Sequence, residues 1–151
     1  MPHQSRFAVV IRHRAYLERE AQQEFVLAKN RLMEEEERLR RLRMELARAL
    51  DSLTEGQTRG MSADEMGVYY LFVKRQGERI EDCQKAVDLL AGQCEEKRIQ
   101  LTRAVQDRKV IEKVDEVRKE AFVKEAAKKE QNLLDEIGGR QHWKPPRRKI
   151  K

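Results

Sequence analysis

Between His3 and Lys144 the chain has no proline, and through most of that span apolar residues recur at alternating steps of four and three. Nothing constrains the fold more than this pairing of features. Proline would break a helix by removing an N–H and colliding with the preceding turn. The four–three step is the period at which one helix keeps an apolar seam turned toward a partner helix. In a first stretch the seam reads Phe7, Ile11, Ala21, Phe25, Ala28, Leu32, Leu39, Leu42, Leu46, Ala49 and Leu53, with polar members at Arg14, Glu18 and Glu35. In a second stretch it reads Met66, Tyr69, Val73, Ile80, Cys83, Val87, Leu90, Cys94, Leu101 and Ala104, with Gln76 and Lys97 as the polar members.

Breakers gather in one place, Gly56 to Gly60, and Ser62 to Glu65 just after them has the form of a capping box. The spacing therefore predicts helix one over about 5–54, a loop over 55–61 and helix two over about 62–138, ended by Gly138 and Gly139. The expected fold is all-α: two long helices in one antiparallel coiled-coil hairpin, a domain of residues 1–140, with the second helix longer. Residues 141–151 are expected to be a disordered basic tail.

Register follows if the two seams are matched across the loop. They agree when paired residue numbers add to 115, so that Leu46 faces Tyr69, Leu42 faces Val73, Leu32 faces Cys83 and Glu18 faces Lys97. A parallel dimer of long single helices is the competing arrangement. The glycines and the cap favour a hairpin closed within one chain, hence a monomer.

Composition excludes several function classes. Charged residues are 40% of the chain and aromatic ones 5%, too few large apolar groups for a compact globule. Of the net charge of +6, five come from Lys144, Arg147, Arg148, Lys149 and Lys151. No basic stripe runs along the helices, and nucleic acid is not an expected partner. Cys83 and Cys94 sit about 16 Å apart along one helix, too far to join, and both fall on the seam as packing residues. Their free thiols fit the cytoplasm. His3, His13 and His142 have no ligand spacing, and no phosphate loop or carboxylate pair in a cleft is present. We expect no enzymatic activity, no metal and no cofactor. No segment reaches the roughly 20 apolar residues of a membrane span, and the apolar run after Phe7 is too short for a signal peptide.

Two stretches carry more apolar residues than the seam uses. In Val68–Val73 the seam needs Tyr69 and Val73, which leaves Val68, Tyr70, Leu71 and Phe72 on flanks or outside, Leu71 outermost. Beyond about residue 110 helix two is expected to outrun helix one. There Val110, Ile111, Val114, Val117, Ala121 and Phe122 leave the earlier template, and Leu133, Leu134 and Ile137 follow a polar gap. An apolar stripe on an isolated helix points to an external partner.

The layout resembles the flagellar FliJ family of bacterial type III export proteins over about residues 5 to 140. The resemblance rests on Phe7, Arg14, Glu18 and Glu20 in the first helix and on Gly60-Met61-Ser62 leading to the Tyr-x-x-Phe pattern Tyr69–Phe72. Arg108-Lys-Val-Ile-Glu-Lys-Val-Asp-Glu-Val-Arg118 and Leu134-Asp-Glu-Ile137 complete it. It implies a fold like the central stalk of rotary ATPases and a role as a general component of the export apparatus. The implied partners are the export ATPase hexamer, the membrane export-gate protein and escort chaperones. The implied location is cytoplasmic, peripheral to the inner membrane at the flagellar base. On this resemblance Tyr69, Tyr70, Leu71 and Phe72 would dock on the gate. Arg108, Val110, Ile111, Val114, Val117, Arg118 and Phe122 would enter the ATPase ring with the N-terminal end. The equivalent stalk of a virulence-type secretion system, or a coiled-coil scaffold, are the alternatives.

Overall fold

A computed structural model describes residues 6–142. It has two α-helices and nothing else that is regular: α1, Ala8–Arg59, and α2, Ala63–His142. The helices pack against each other, and α2 is the longer, at 80 residues against 52. Leu, Ala, Glu, Gln, Arg and Lys dominate both, the residues that lose least on entering a helix. No strand occurs among the described residues.

The turn between the helices is three residues long, tighter and later than the spacing predicts. α1 runs through Gly56 and stops at Gly60, the one described residue with a left-handed backbone (φ 90°). Its N–H donates to the Gln57 carbonyl at 3.4 Å, closing the last turn. Ser62 then caps α2: its Oγ accepts the Glu65 N–H at 3.2 Å, and Asp64 and Glu65 supply negative charge at the positive end of the helix. Gly56 serves packing instead of turning. It is half-buried, three places past Leu53 on the seam, and the Met61 methyl fills the space its Cβ would occupy.

Gly138 and Gly139 do not end α2 either, which continues to His142. A glycine costs a helix about 1 kcal/mol but ends it only where the chain turns into a left-handed conformation. Neither has a positive φ. The expected tail of 141–151 thus begins inside α2, and its part from Trp143 onward lies outside the described residues.

The late turn corrects the register. The hairpin pivots on Met61, about half a heptad past the predicted centre, and moving the pivot by half a heptad slides one seam past the other by a whole one. Seam residues are the same and still alternate correctly; only their partners change.

The chain divides into two compact units. The first comprises Tyr16–Val105. Here every residue of both expected seams is buried or half-buried, with Leu39, Leu53, Cys83 and Val87 the innermost apolar members, and Leu32, Leu42 and Ile80 packed on the Leu39–Cys83–Val87 cluster. Lys97 reaches Glu24 at 2.9 Å, not the expected Glu18. The most buried side chain is Gln76, 1% exposed. Its Nε2 donates to the Leu42 carbonyl at 3.0 Å and to Glu45 Oε2 at 2.9 Å, so the amide enters the core with both donors used.

The second unit comprises the described residues up to Ala15 and from Gln106 onward. Phe7 and Ile11 of the α1 side and Arg108, Ile111 and Asp115 of α2 carry its seam. Arg14 pairs with Asp107 at 3.6 Å, and the Arg118 guanidinium lies 4.9 Å from the centre of the Phe7 ring. Asp115 is buried yet has the Lys119 ammonium at 3.3 Å. Helix pairing therefore reaches Arg118 and does not stop near residue 110. From Glu116 to Ile137 every residue is exposed.

Candidate interaction surfaces

A two-helix seam leaves more than half of each helix to solvent, so the informative residues are the large apolar ones that the seam does not use. In the Tyr16–Val105 unit they cluster at the start of α2. Tyr69 and Val73 turn inward, half-buried, while Val68 is 70% exposed and Tyr70, Leu71 and Phe72 are exposed beside it. Val68, Leu71 and Phe72 line a shallow groove with Arg75, Gln76 and Arg79. The groove is thus apolar at one end and cationic at the other.

In the second unit the residues singled out from sequence separate into two sets. Ile111 belongs to the seam, and Arg108 is half-buried with its Nη1 donating to both Glu112 oxygens at 2.8 and 2.9 Å. Arg118 is held against Phe7. Val110, Val114 and Val117, at steps of four and three, form a separate exposed row on α2. Phe122 is exposed and borders a hollow with Arg6, Phe7, Asp115, Arg118 and Ala121. The expectation that Ile111 leaves the seam with Val110, Val114, Val117, Ala121 and Phe122 is therefore corrected: Ile111 stays half-buried in the paired unit, and the valines flank it.

Sequence reasoning passed over two exposed groups. Val26 and Leu27 of α1 lie beside Arg19, Gln22 and Gln23, and two adjacent apolar residues off the seam were the available signal. Val123 of α2 is 63% exposed, and only the shift of phase after residue 115 could have marked it.

Little in the site chemistry is reactive. No group of three His, Cys, Asp or Glu among the described residues could hold a metal ion. Both cysteines are free. Burial pushes the Cys83 thiol above its ordinary pKa, and the Glu35 carboxylate that accepts its S–H at 3.2 Å adds to the shift. A thiol held protonated is a packing group and a weak donor, not a nucleophile.

Two helices whose shared seam is already filled and which carry separate exposed apolar patches offer surfaces for other proteins. The comparison with known families names the system. A family model described as the flagellar FliJ protein matches residues 3–147. The chain belongs to the flagellar FliJ family. It is accordingly a component of the flagellar type III protein export apparatus. No helix among the described residues is long and apolar enough to cross a membrane. No curated protein and no solved structure matches the chain.

Proposed function

We propose that this FliJ-family chain acts as a stalk-like adaptor that binds the export ATPase hexamer, the membrane export gate and escort chaperones. The supporting observation is the valine row Val110, Val114 and Val117, exposed on α2 beside the seam that occupies the same turns. In this reading the row and Phe122, with the N-terminal end of α1, enter the ATPase ring, and Ile111, Arg108 and Arg118 hold them in place. Tyr70, Leu71 and Phe72 dock on the gate, and Tyr69 anchors that patch to the seam. The protein works in the cytoplasm, peripheral to the inner membrane at the flagellar base.

The test is ring assembly and ATP hydrolysis by a hexameric export ATPase, measured with and without the protein. The intact chain should promote both. Val117→Asp should lose the effect while its melting temperature stays within about 1 °C of the parent, because an exposed substitution changes stability little. Stimulation that survives Val117→Asp would move the ring contact elsewhere. Phe72→Ala should weaken gate binding with helicity unchanged.

A further inference from the structure

Beyond residue 115 the apolar phase of α2 shifts by one residue. Lys119, Val123, Ala126, Glu130, Leu133 and Ile137 follow at steps of four and three, flanked by Phe122, Ala127 and Leu134. This second stripe is turned by about 100° from the seam that faces α1. Val123 is 63%, Leu133 57% and Leu134 55% exposed, and Ile137 is exposed too. It has the spacing of a coiled-coil seam, with Lys119 and Glu130 as its polar members, and no partner helix among the described residues.

The charges indicate what covers it. Along the paired helices one arrangement recurs: a polar seam residue reaches an acid one place before the residue opposite it. Lys97 takes Glu24 at 2.9 Å, Gln76 takes Glu45 at 2.9 Å and Arg14 takes Asp107 at 3.6 Å. If two copies of α2 lie antiparallel with Val123 opposite Leu133, Lys119 falls opposite Ile137. The acid one place before Ile137 is Glu136. In the same register Arg140 meets Glu116, Ala126 makes room for Glu130, and Val123 lies against Leu134 as well as Leu133. Each contact occurs twice by symmetry, and the pairing closes on itself.

We infer that the stripe from Lys119 to Ile137 is an antiparallel pairing surface for a second copy of this chain. It is a weak one. The seam is only about three heptads long, Glu130 occupies a seam place, and Lys129 lies across from its own symmetry mate. The pair forms at high local concentration and separates on dilution. Its seam lies on a different side of α2 from Val110, Val114 and Val117 and meets the ATPase reading only at Phe122, which flanks it, so Val117→Asp separates the two.

Sedimentation velocity of the full chain from about 10 µM to about 1 mM tests it. The sedimentation coefficient should rise with concentration. Leu133→Asp should abolish the rise without lowering the melting temperature, and Val117→Asp should leave it intact. Lys119→Glu and Glu136→Lys should each weaken pairing about tenfold, since two attractions per dimer become repulsions. An equimolar mixture of those two variants should pair as well as the parent, because every Lys119–Glu136 contact then meets an opposite charge. The proposal fails if sedimentation is independent of concentration, if Leu133→Asp still dimerises, or if the mixture pairs no better than its parts.

Discussion

Residues 76–87 and residues 123–137 of α2 have similar periodicity and opposite environments. In the first, Gln76, Cys83 and Val87 are buried against α1, with both Gln76 amide hydrogens and the Cys83 S–H donated to α1 acceptors. In the second, apolar residues at the same spacing are exposed throughout. An apolar repeat reports that a helix has a seam; whether that seam is used inside the chain depends on how far the other helix extends. The tightest part of the first region is also its most polar part. Gln76 and Glu35 can have only one set of partners, whereas an all-leucine seam would pack almost as well one heptad away.

Substitutions at the two places should separate the regions sharply. Leu39→Ala removes a buried group from the Leu39–Cys83–Val87 cluster and should cost about 2–4 kcal/mol in urea unfolding. A loss below about 1 kcal/mol would mean that the seam is looser than its burial suggests.

Gln76→Ala deletes two hydrogen bonds and the volume that carries them. We expect about 1–3 kcal/mol from the lost bonds and the void, since the Leu42 carbonyl keeps its intrahelical donor. Gln76→Leu sharpens the point: stability should be largely kept, while a cysteine cross-link chosen for the native register forms in a smaller fraction of molecules.

The Cys83 thiol has a raised pKa in the folded chain, so the folded state holds that proton more tightly than the unfolded state. Its contribution is fully present below the ordinary value of 9.0 and is lost as pH rises through the higher folded value. Thermal stability should therefore fall above about pH 9 by more in the parent than in Cys83→Ala. Alkylation at pH 8 should label half-buried Cys94 well before buried Cys83. Equal rates would show that the seam opens locally around Glu35.

The smallest effect belongs to the exposed end. Leu134→Ala should change stability by less than about 0.5 kcal/mol at low protein concentration, because a solvent-facing leucine gives up little burial. A larger loss would mean that residues 123–137 are covered in the monomer.

Much of the fold was legible without coordinates. The four–three repeat named every seam residue from Phe7 to Ala104, including the polar ones, because helical geometry is local and repeats along the chain. The capping serine was equally plain, since a cap depends on four consecutive residues. The Val68–Phe72 patch was visible as a surplus of apolar groups over what the seam can take.

Register was different. Seams that repeat every seven residues match equally well after a slide of one heptad, and the choice rested on which glycine turns the chain. Gly56 and Gly60 look alike in sequence. Only the packed hairpin distinguishes them, because Met61 folds onto Gly56 and Gly60 alone takes a left-handed φ. For the same reason Lys97 met Glu24 instead of Glu18, and the paired length of α2 reached Arg118. Local periodicity determined which residues face inward, while the position of one turn, an energy balance spread over both helices, decided what each of them faces.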